Sequence, residues 1–189
     1  MPVKVFSRLG VKLVIITNAA GGCNPSYNVG DIMVIKDHIS FPLLSLSHPL
    51  IGPNDERFGP RFLPINNMYN KQLREKFLNC GKELSISLHE GVYGNIGGPT
   101  YESPSDTRWC LAAGMDSVGM STSHEVVVAH HVGMKVLAFS IVTDKIYTEY
   151  DVEDSSDHSE IVKIANLKAK EAEKLVSYFL KRLKENNEI

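Results

Sequence analysis

The stretch Val11-Lys12-Leu13-Val14-Ile15-Ile16-Thr17-Asn18-Ala19-Ala20-Gly21-Gly22 decides the fold class of this chain. Its apolar run, Leu13 to Ile16, is typical of a parallel strand that is buried on both faces. Small residues follow from Asn18 to Gly22, and we expect them to form a tight turn at the carboxyl end of the strand. Ligands of open α/β sheets bind at that end. The stretch therefore predicts both a sheet and a site.

Strand and helix patterns alternate along the rest of the chain, which predicts an α/β fold: a mixed, three-layer-type sheet flanked by helices, over residues 1–189 as one domain. Apolar segments predict strands at 31–36, 91–94, 116–120 and 135–142. Capped or periodic segments predict helices at 70–84, 103–114, 122–133 and from 157 onward, two of them opened by the capping boxes 103–106 and 122–125. Segment 37–64 lacks a period, but its internal hydrophobic residues predict that it is ordered.

Composition excludes several classes of protein. The chain has 189 residues, with 20 basic and 22 acidic side chains and a net charge of −2. This balance gives no broad positive field for nucleic acid or for an anionic membrane. No apolar run approaches the ~20 residues that cross a bilayer. The cysteines, Cys23, Cys80 and Cys110, are odd in number and widely spaced, which predicts reduced thiols in a cytoplasmic protein.

The sequence lacks the common nucleotide-binding and metal-binding motifs. The chain has no P-loop and no G-x-G-x-x-G, which disfavours a redox-type dinucleotide-binding domain. His124 and His130 are six residues apart, so they cannot share a helix face as zinc ligands do. His130 and His131 are adjacent and cannot both face one site. These spacings disfavour a zinc site on this helix.

Two turns predict an anion site. Ser121 lies where a strand ends and a helix begins, and the free backbone N–H groups of such a helix start attract anions. A purely local capping role fits Ser121 equally well. Ala19, in the first turn, could offer a backbone N–H to the same anion, because its small neighbours permit a close approach.

Two carboxylates are candidates for catalysis. Glu102 follows a glycine-rich turn and Tyr101, so it either faces a cleft or favours the dipole of the next helix. Asp144 follows Thr143 at the end of the most apolar strand. A carboxylate at the end of a buried strand favours a functional role over a structural one.

Four motifs, in order along the chain, give the sequence a family resemblance. They are Thr17-Asn18-Ala19-Ala20-Gly21-Gly22, Gly52-Pro53-Asn54-Asp55-Glu56-Arg57-Phe58-Gly59, Gly98-Pro99-Thr100-Tyr101-Glu102-Ser103 and Val118-Gly119-Met120-Ser121-Thr122. Together they resemble the trimeric, low-molecular-mass purine nucleoside phosphorylases. That family splits purine nucleosides with inorganic phosphate into the free base and ribose 1-phosphate, without a metal or an organic cofactor. The resemblance implies a cytoplasmic homotrimer in purine salvage.

The resemblance also implies roles at the phosphate and the ribose. Ser121 and the backbone of Ala19 would contact phosphate. Met120 would pack under the ribose, and His158 would reach its 5′-hydroxyl. Phe58 would close the pocket of a neighbouring subunit.

At the base, Tyr101 would stack on the purine, where the family more often has Phe. Glu102 would accept hydrogen bonds from the protonated ring nitrogen of a 6-oxopurine, and Asp144, next to Thr143 in the substrate pocket, would face the other edge of the base. The 6-oxopurine enzymes usually carry Asn where this chain has Asp144. An ionised Asp accepts but does not donate, which predicts a base preference broadened toward adenosine. An adenosine or methylthioadenosine preference is the alternative, although those enzymes lack the equivalent of Glu102.

Two further differences from the family are visible. Ser123-His124 replaces the usual Val-Pro after the phosphate-binding Ser-Thr, and we expect a small effect. The family's N-terminal third, with a Gly/Ser phosphate loop and an Arg-x-His-x-Tyr segment, has no counterpart in these 189 residues. We therefore expect a domain that is N-terminally incomplete, without its first strands and with little or no turnover alone. An inactive fragment or pseudoenzyme that binds purine or a full-length partner is the competing hypothesis.

Overall fold

The computed structural model describes residues 2–151 and 158–189, with the backbone alone for His158 and Glu160. The elements, in chain order, are α1 Pro2–Arg8, β1 Leu13–Gly22, β2 Ile32–Ser40, α2 Phe41–Leu44, α3 Lys71–Glu83, β3 Leu88–Asn95, α4 Pro104–Ala112, β4 Ser117–Gly119, α5 Ser123–His131, β5 Lys135–Lys145 and α6 His158–Glu185. α3, α4 and α5 lie within two residues of their predicted bounds, whereas α2 was not predicted. Most strands are longer than predicted, and the predicted start of the last helix at Asp157 lies outside the described residues.

The strands of the described residues form one mixed sheet that closes into a barrel in the order β1-β4-β3-β2-β5. β5 pairs in parallel with β1 and antiparallel with β2. β3 pairs in parallel with β2 and β4, and β4 runs antiparallel to β1. This mixed α/β architecture confirms the predicted fold class.

Alternate residues of β5 build the core on the two sides of the sheet. Val136 and Ala138 belong to the cluster that includes the apolar side chains of α5. Leu137 and Phe139 belong to the other cluster, with side chains of α3 and α6. Because successive strand residues point to opposite faces, one apolar strand holds helices on both sides. The three-layer arrangement follows from this alternation.

β1 departs from the prediction in two ways. Leu13 to Ile16 are half-buried rather than buried on both faces, because in the described part of the chain this half of the strand pairs with β5 and not with β4. The predicted turn from Asn18 to Gly22 is wrong. The strand continues through it, since Gly21 and Gly22 pair with β4 while β5 stays paired on the other side.

The segment after β2 is ordered, as predicted, and α5 holds part of it in place. Its irregular part follows α2. Three imidazoles of α5 bond to its carbonyl oxygens at 2.9, 2.9 and 3.1 Å: His124 to Ser47, His130 to Pro64 and His131 to Pro60. These histidines, rejected as zinc ligands, each have a structural partner.

The two predicted capping boxes have different outcomes. Ser103 and Asp106 form the predicted box at the start of α4. The box at α5 is wrong: Thr122 occupies the N-cap position but makes no side-chain cap hydrogen bond, and its backbone has φ 75°. Its hydroxyl is engaged with side chains outside the helix. In residues 2–151 and 158–189, no helix has the length and apolarity needed to cross a membrane.

Candidate active site

Five separate segments meet at one cavity of about 260 Å³, which we call the central cavity. They are the end of β1, the turn before α4, β4 with the turn that follows it, the end of β5 and the first turns of α6. Ser121 and Ala19, which the sequence predicted to serve one anion, both line it. The lining residues are Ala19, Ala20, Gly21, Tyr101, Glu102, Val118, Gly119, Met120, Ser121, Thr143, Asp144 and Ile161.

One part of the central cavity suits an anion. Ser121 and Ala19 are both exposed on its wall. Ser121 directly precedes Thr122, the N-cap residue of α5, whose side chain leaves the first N–H groups of the helix without a cap hydrogen bond. A helix start of this kind carries partial positive charge. Ser121 therefore adds a hydroxyl donor beside a field that favours negative charge.

Glu102 and Asp144, which line the same cavity, bring carboxylates in place of hydrogen-bond donors. Burial raises the pKa of the Glu102 carboxyl, its own backbone N–H opposes this, and the nearby charge of Asp144 raises it further. The Thr143 hydroxyl donates to Asp144 Oδ1 at 2.8 Å. Two carboxylates in one cleft, one of them with a raised pKa, are typical of a site that exchanges protons or hydrogen bonds with its ligand.

The close approach of β1 and β5 places Asp144 in the cavity. Gly21 lies opposite Asp144 in the strand register, at a bulge between Ala20 and Gly21. A Cβ built on Gly21 would lie 2.8 Å from Ile146 Cγ2 and 3.2 Å from Asp144 Oδ2. Glycine is needed here because a larger residue would push the β5 end away.

A second cavity of about 280 Å³, the outer cavity, adjoins the central one. Tyr101, Glu102 and Asp144 line both cavities. Tyr147 and Tyr150, from the segment that follows β5, add aromatic wall to the outer cavity. A planar ligand would therefore find aromatic surface and carboxylates together.

Met120 and Tyr101 are the apolar surfaces of the central cavity. Their side chains are 41% and 47% exposed, which is high for such large residues and leaves them free to contact a ligand. Met120 rests against Gly98 in the turn before α4. This contact fixes the two surfaces relative to each other.

Two predicted residues are not placed in the central cavity. Phe58 is not among the described residues that line either cavity; it packs instead under the cations of α1, with Lys4 Nζ 4.9 Å and Arg8 Cζ 4.7 Å from its ring centroid. His158 begins α6, and its side chain lies outside the described residues.

Sequence reasoning missed three contributors to the site. Ile161 lines the central cavity, although its position in the apolar stripe of α6 indicated a core role. Asn18 and Tyr93 stand behind Ser121 and hydrogen bond to the turn that carries it. No local pattern marks them, because their partners are 104 and 28 residues away in the chain.

Comparison with known proteins places this fold and site in one family. The family model of the phosphorylase superfamily matches residues 1–181. The purine nucleoside phosphorylase of Bos taurus is 41% identical over 181 residues, covering 95% of this chain and 63% of the relative. Purine nucleoside phosphorylase 1 of Bacillus subtilis is 40% identical over 183 residues, covering 97% and 63%.

Solved structures agree. The Schistosoma mansoni purine nucleoside phosphorylase in complex with adenosine superimposes with a TM-score of 0.95 at 38% identity, covering 96% of this chain and 66% of that one. Isoform 2 from the same organism, solved with cytosine and ribose-1-phosphate, gives a TM-score of 0.92 at 40% identity, covering 96% and 65%.

The chain belongs to the phosphorylase superfamily. Within it, the relatives described above are purine nucleoside phosphorylases, which confirms the resemblance that the four motifs indicated. The chain spans slightly less than two thirds of the length of these relatives.

Proposed function

We propose that this protein catalyses the reversible phosphorolysis of purine nucleosides to the free base and ribose 1-phosphate. One observation carries the proposal: a single cavity holds Ser121 and Ala19 beside a helix start, and Glu102 and Asp144 as carboxylates. The first pair suits inorganic phosphate and the second suits a purine. A nucleoside bound between them would have its glycosidic bond close to the anion.

The chemistry requires charge stabilisation at both ends of the breaking bond. Loss of the base leaves a cationic ribosyl group, which the phosphate held at Ser121 and Ala19 stabilises and then attacks. The departing base gains negative charge, which a hydrogen bond to N7 neutralises. Met120 and Tyr101 supply apolar surface for the ribose and the purine. Inorganic phosphate is a co-substrate, and the scheme needs no metal or organic cofactor.

Glu102 and Asp144 determine base preference in this proposal. Ionised Glu102 accepts hydrogen bonds from the protonated ring nitrogen of a 6-oxopurine, and from the 2-amino group of guanine. Asp144 accepts from a 6-amino group when ionised, and donates to N7 when it is protonated. We therefore expect adenosine to be used alongside inosine. The Schistosoma mansoni complexes with adenosine and inosine, and a Schistosoma complex with guanosine, support a pocket that admits both classes.

The assembly in this proposal is a cytoplasmic homotrimer in which Phe58 closes the site of a neighbouring subunit. Large apolar side chains are exposed on and just after α1 and on the segment after β2, which supports a partner there: Val5, Phe6, Leu9, Leu44, Leu46, Ile51, Phe62 and Ile65. The three cysteines are unpaired and buried, which supports a reducing compartment. Light scattering should give three times the chain mass of 21.0 kDa.

The test is phosphate-dependent release of hypoxanthine from inosine, with hypoxanthine binding measured by calorimetry on the same sample. The proposal expects the whole protein to release hypoxanthine and to lose this activity in Ser121→Ala and Glu102→Ala, whereas the sequence predicts little or no turnover by these 189 residues alone. Binding without release would favour the competing hypothesis of an inactive, purine-binding chain. Absence of both would contradict the proposed function.

A further inference from the structure

We propose that Asn18 is a positioning residue for the anion end of the central cavity: it sets the direction of a hydrogen-bond chain that runs through Thr122 and points the Ser121 hydroxyl hydrogen at the bound phosphate. The inference rests on the proposed function, because it assumes that Ser121 binds phosphate. It adds a residue that does not itself line the described cavity.

The backbone around Thr122 is strained. Thr122 has φ 75° and ψ −56°, and Ser123 N donates to Ser121 O at 2.9 Å. This is a γ-turn of the rare type with a positive central φ. A β-branched residue is an outlier there. Such strain persists only where surrounding contacts hold it, and it is concentrated at functional sites.

Two side chains hold the turn from behind. Asn18 Nδ2 donates to Thr122 Oγ1 at 2.8 Å, from β1 to the start of α5. Tyr93 Oη, on β3, accepts from Ser121 N at 3.3 Å, and Tyr93 is fully buried. Thr122 is 2% exposed. β1 and β3 are therefore both joined to the turn before α5, β1 through Thr122 and β3 through the backbone of Ser121.

The donor at Asn18 decides the direction of the chain. Thr122 Oγ1 lies 3.2 Å from Ser121 Oγ, and either oxygen alone could be the donor. Because Asn18 donates, the Thr122 hydrogen is not drawn back to residue 18 and can go to Ser121 Oγ, whereas an acceptor at residue 18 would take that hydrogen and make Ser121 the donor to Thr122. The Ser121 hydrogen then points away, into the cavity.

Direction matters because phosphate oxygens accept hydrogen bonds. A Ser121 hydroxyl that donated to Thr122 would turn a lone pair toward the anion and repel it. A hydroxyl polarised by two donors behind it is a stronger donor in front, since hydrogen bonds in a chain strengthen one another. The geometry therefore assigns Asn18 to phosphate affinity and not to base recognition.

The experiment measures phosphate and hypoxanthine binding to the full chain by calorimetry. Hypoxanthine binding is the internal control, because it reports on the base end of the cavity. Asn18→Asp reverses the chain, because a carboxylate can only accept, and should weaken phosphate binding by more than about tenfold. Asn79→Asp adds the same charge on the exposed side of α3 and should leave phosphate binding unchanged. Hypoxanthine affinity should stay within about twofold in both variants.

Thr122, the middle residue of the hydrogen-bond chain, allows a second pair of variants that adds no charge. Thr122→Val removes the hydroxyl at nearly constant shape and should also weaken phosphate binding. Thr122→Ser keeps the hydroxyl and should bind phosphate as wild type does. Combining Asn18→Leu with Thr122→Val should cost no more than either change alone, because both break one chain. Phosphate affinity equal to wild type in Asn18→Asp and Thr122→Val would overturn the role of Asn18 but leave the proposed function standing. A wild-type chain that binds hypoxanthine but no phosphate would overturn the phosphate site itself.

Discussion

At the scale of single residues, Asp144 is the position at which this chain departs most informatively from its family resemblance. Replacing Asp144 with Asn exchanges an acceptor for a group that both donates and accepts. We expect the ratio of kcat/KM for inosine over adenosine to rise by about tenfold, the effect of one hydrogen bond of 1.4 kcal/mol. Steady-state assays with both nucleosides measure this ratio. An unchanged ratio would show that Asp144 does not choose the base.

Glu102 gives the site a pH dependence. Burial, followed by the Asp144 charge, raises the pKa of Glu102 above that of an ordinary Glu. Since the ionised form accepts from the base, hypoxanthine affinity should fall as the pH drops through this raised pKa. Glu102→Gln should bind hypoxanthine at least about tenfold more weakly at neutral pH and should lose this pH dependence. Calorimetry over a pH series checks both.

The same shift predicts an opposite effect on folding. A carboxyl whose pKa is higher in the folded chain than in the unfolded chain destabilises the fold at pH values above both. Glu102→Gln should therefore unfold at higher urea concentration than wild type at neutral pH. The difference should shrink as the pH falls toward the unfolded value. Binding lost together with stability would instead indicate general damage.

Gly119 is required by the buried Tyr93. A Cβ built on Gly119 would lie 2.6 Å from Tyr93 Oη and 3.3 Å from the Ala19 carbonyl oxygen. Because Tyr93 is fully buried, it cannot move aside freely, and Gly119→Ala should cost about 1–3 kcal/mol of stability. Urea denaturation measures the cost. Gly97→Ala is the matched control, since a Cβ there meets nothing within 4 Å; equal stability of the two variants would contradict the argument.

At the scale of elements, α4 is fastened to the segment that follows β5. The guanidinium of Arg108 donates to the Thr148 carbonyl oxygen, to Tyr150 Oη and to Ser105 Oγ at 2.9 Å. It also lies 4.7 Å from the Tyr150 ring centroid. Glu102 directly precedes α4, so this clasp ties the walls of the outer cavity together.

Removing the clasp should loosen that wall. In Arg108→Met, we expect amide hydrogen exchange over residues 146–150 to rise by about tenfold or more, because those amides lose the contacts that hold the segment. Arg57→Met is the control: Arg57 is exposed and pairs with Asp55, two residues away. Equal amide exchange over residues 146–150 in the two variants would show that Arg108 does not hold this segment.

An element was predicted correctly where neighbouring residues in the sequence determine it. β5 and α4 follow from an apolar run and a capping box, and both were found. The turn at Asn18 to Gly22 was wrong because pairing with β4 and β5 overrides the preference of small residues for turns. The box at Thr122 was wrong because Asn18, 104 residues away, engages its hydroxyl. Sequence patterns carry no information on such distant partners.

At the scale of the whole molecule, the sheet brings most of the predicted site residues to one cavity. Ser121 follows β4, Glu102 follows β3 and Asp144 lies at the end of β5, and the sheet brings these strand ends together. The residues that hold them, Asn18 and Tyr93, could not be found this way, since their roles depend on side-chain contacts behind the cavity.

Phe58 connects the site to the proposed trimer. In a single chain it lies away from the cavity, under Lys4 and Arg8 of α1, so any role in closing a pocket must be played on a neighbour. Phe58→Ala and Ser121→Ala chains should then each be weak in inosine phosphorolysis. Mixed trimers should be more active than either, because a site with an intact Ser121 can receive Phe58 from the other chain. Activity after unfolding and refolding the two variants together measures this. Mixed samples no more active than the average of the two variants would place Phe58 outside the neighbouring site.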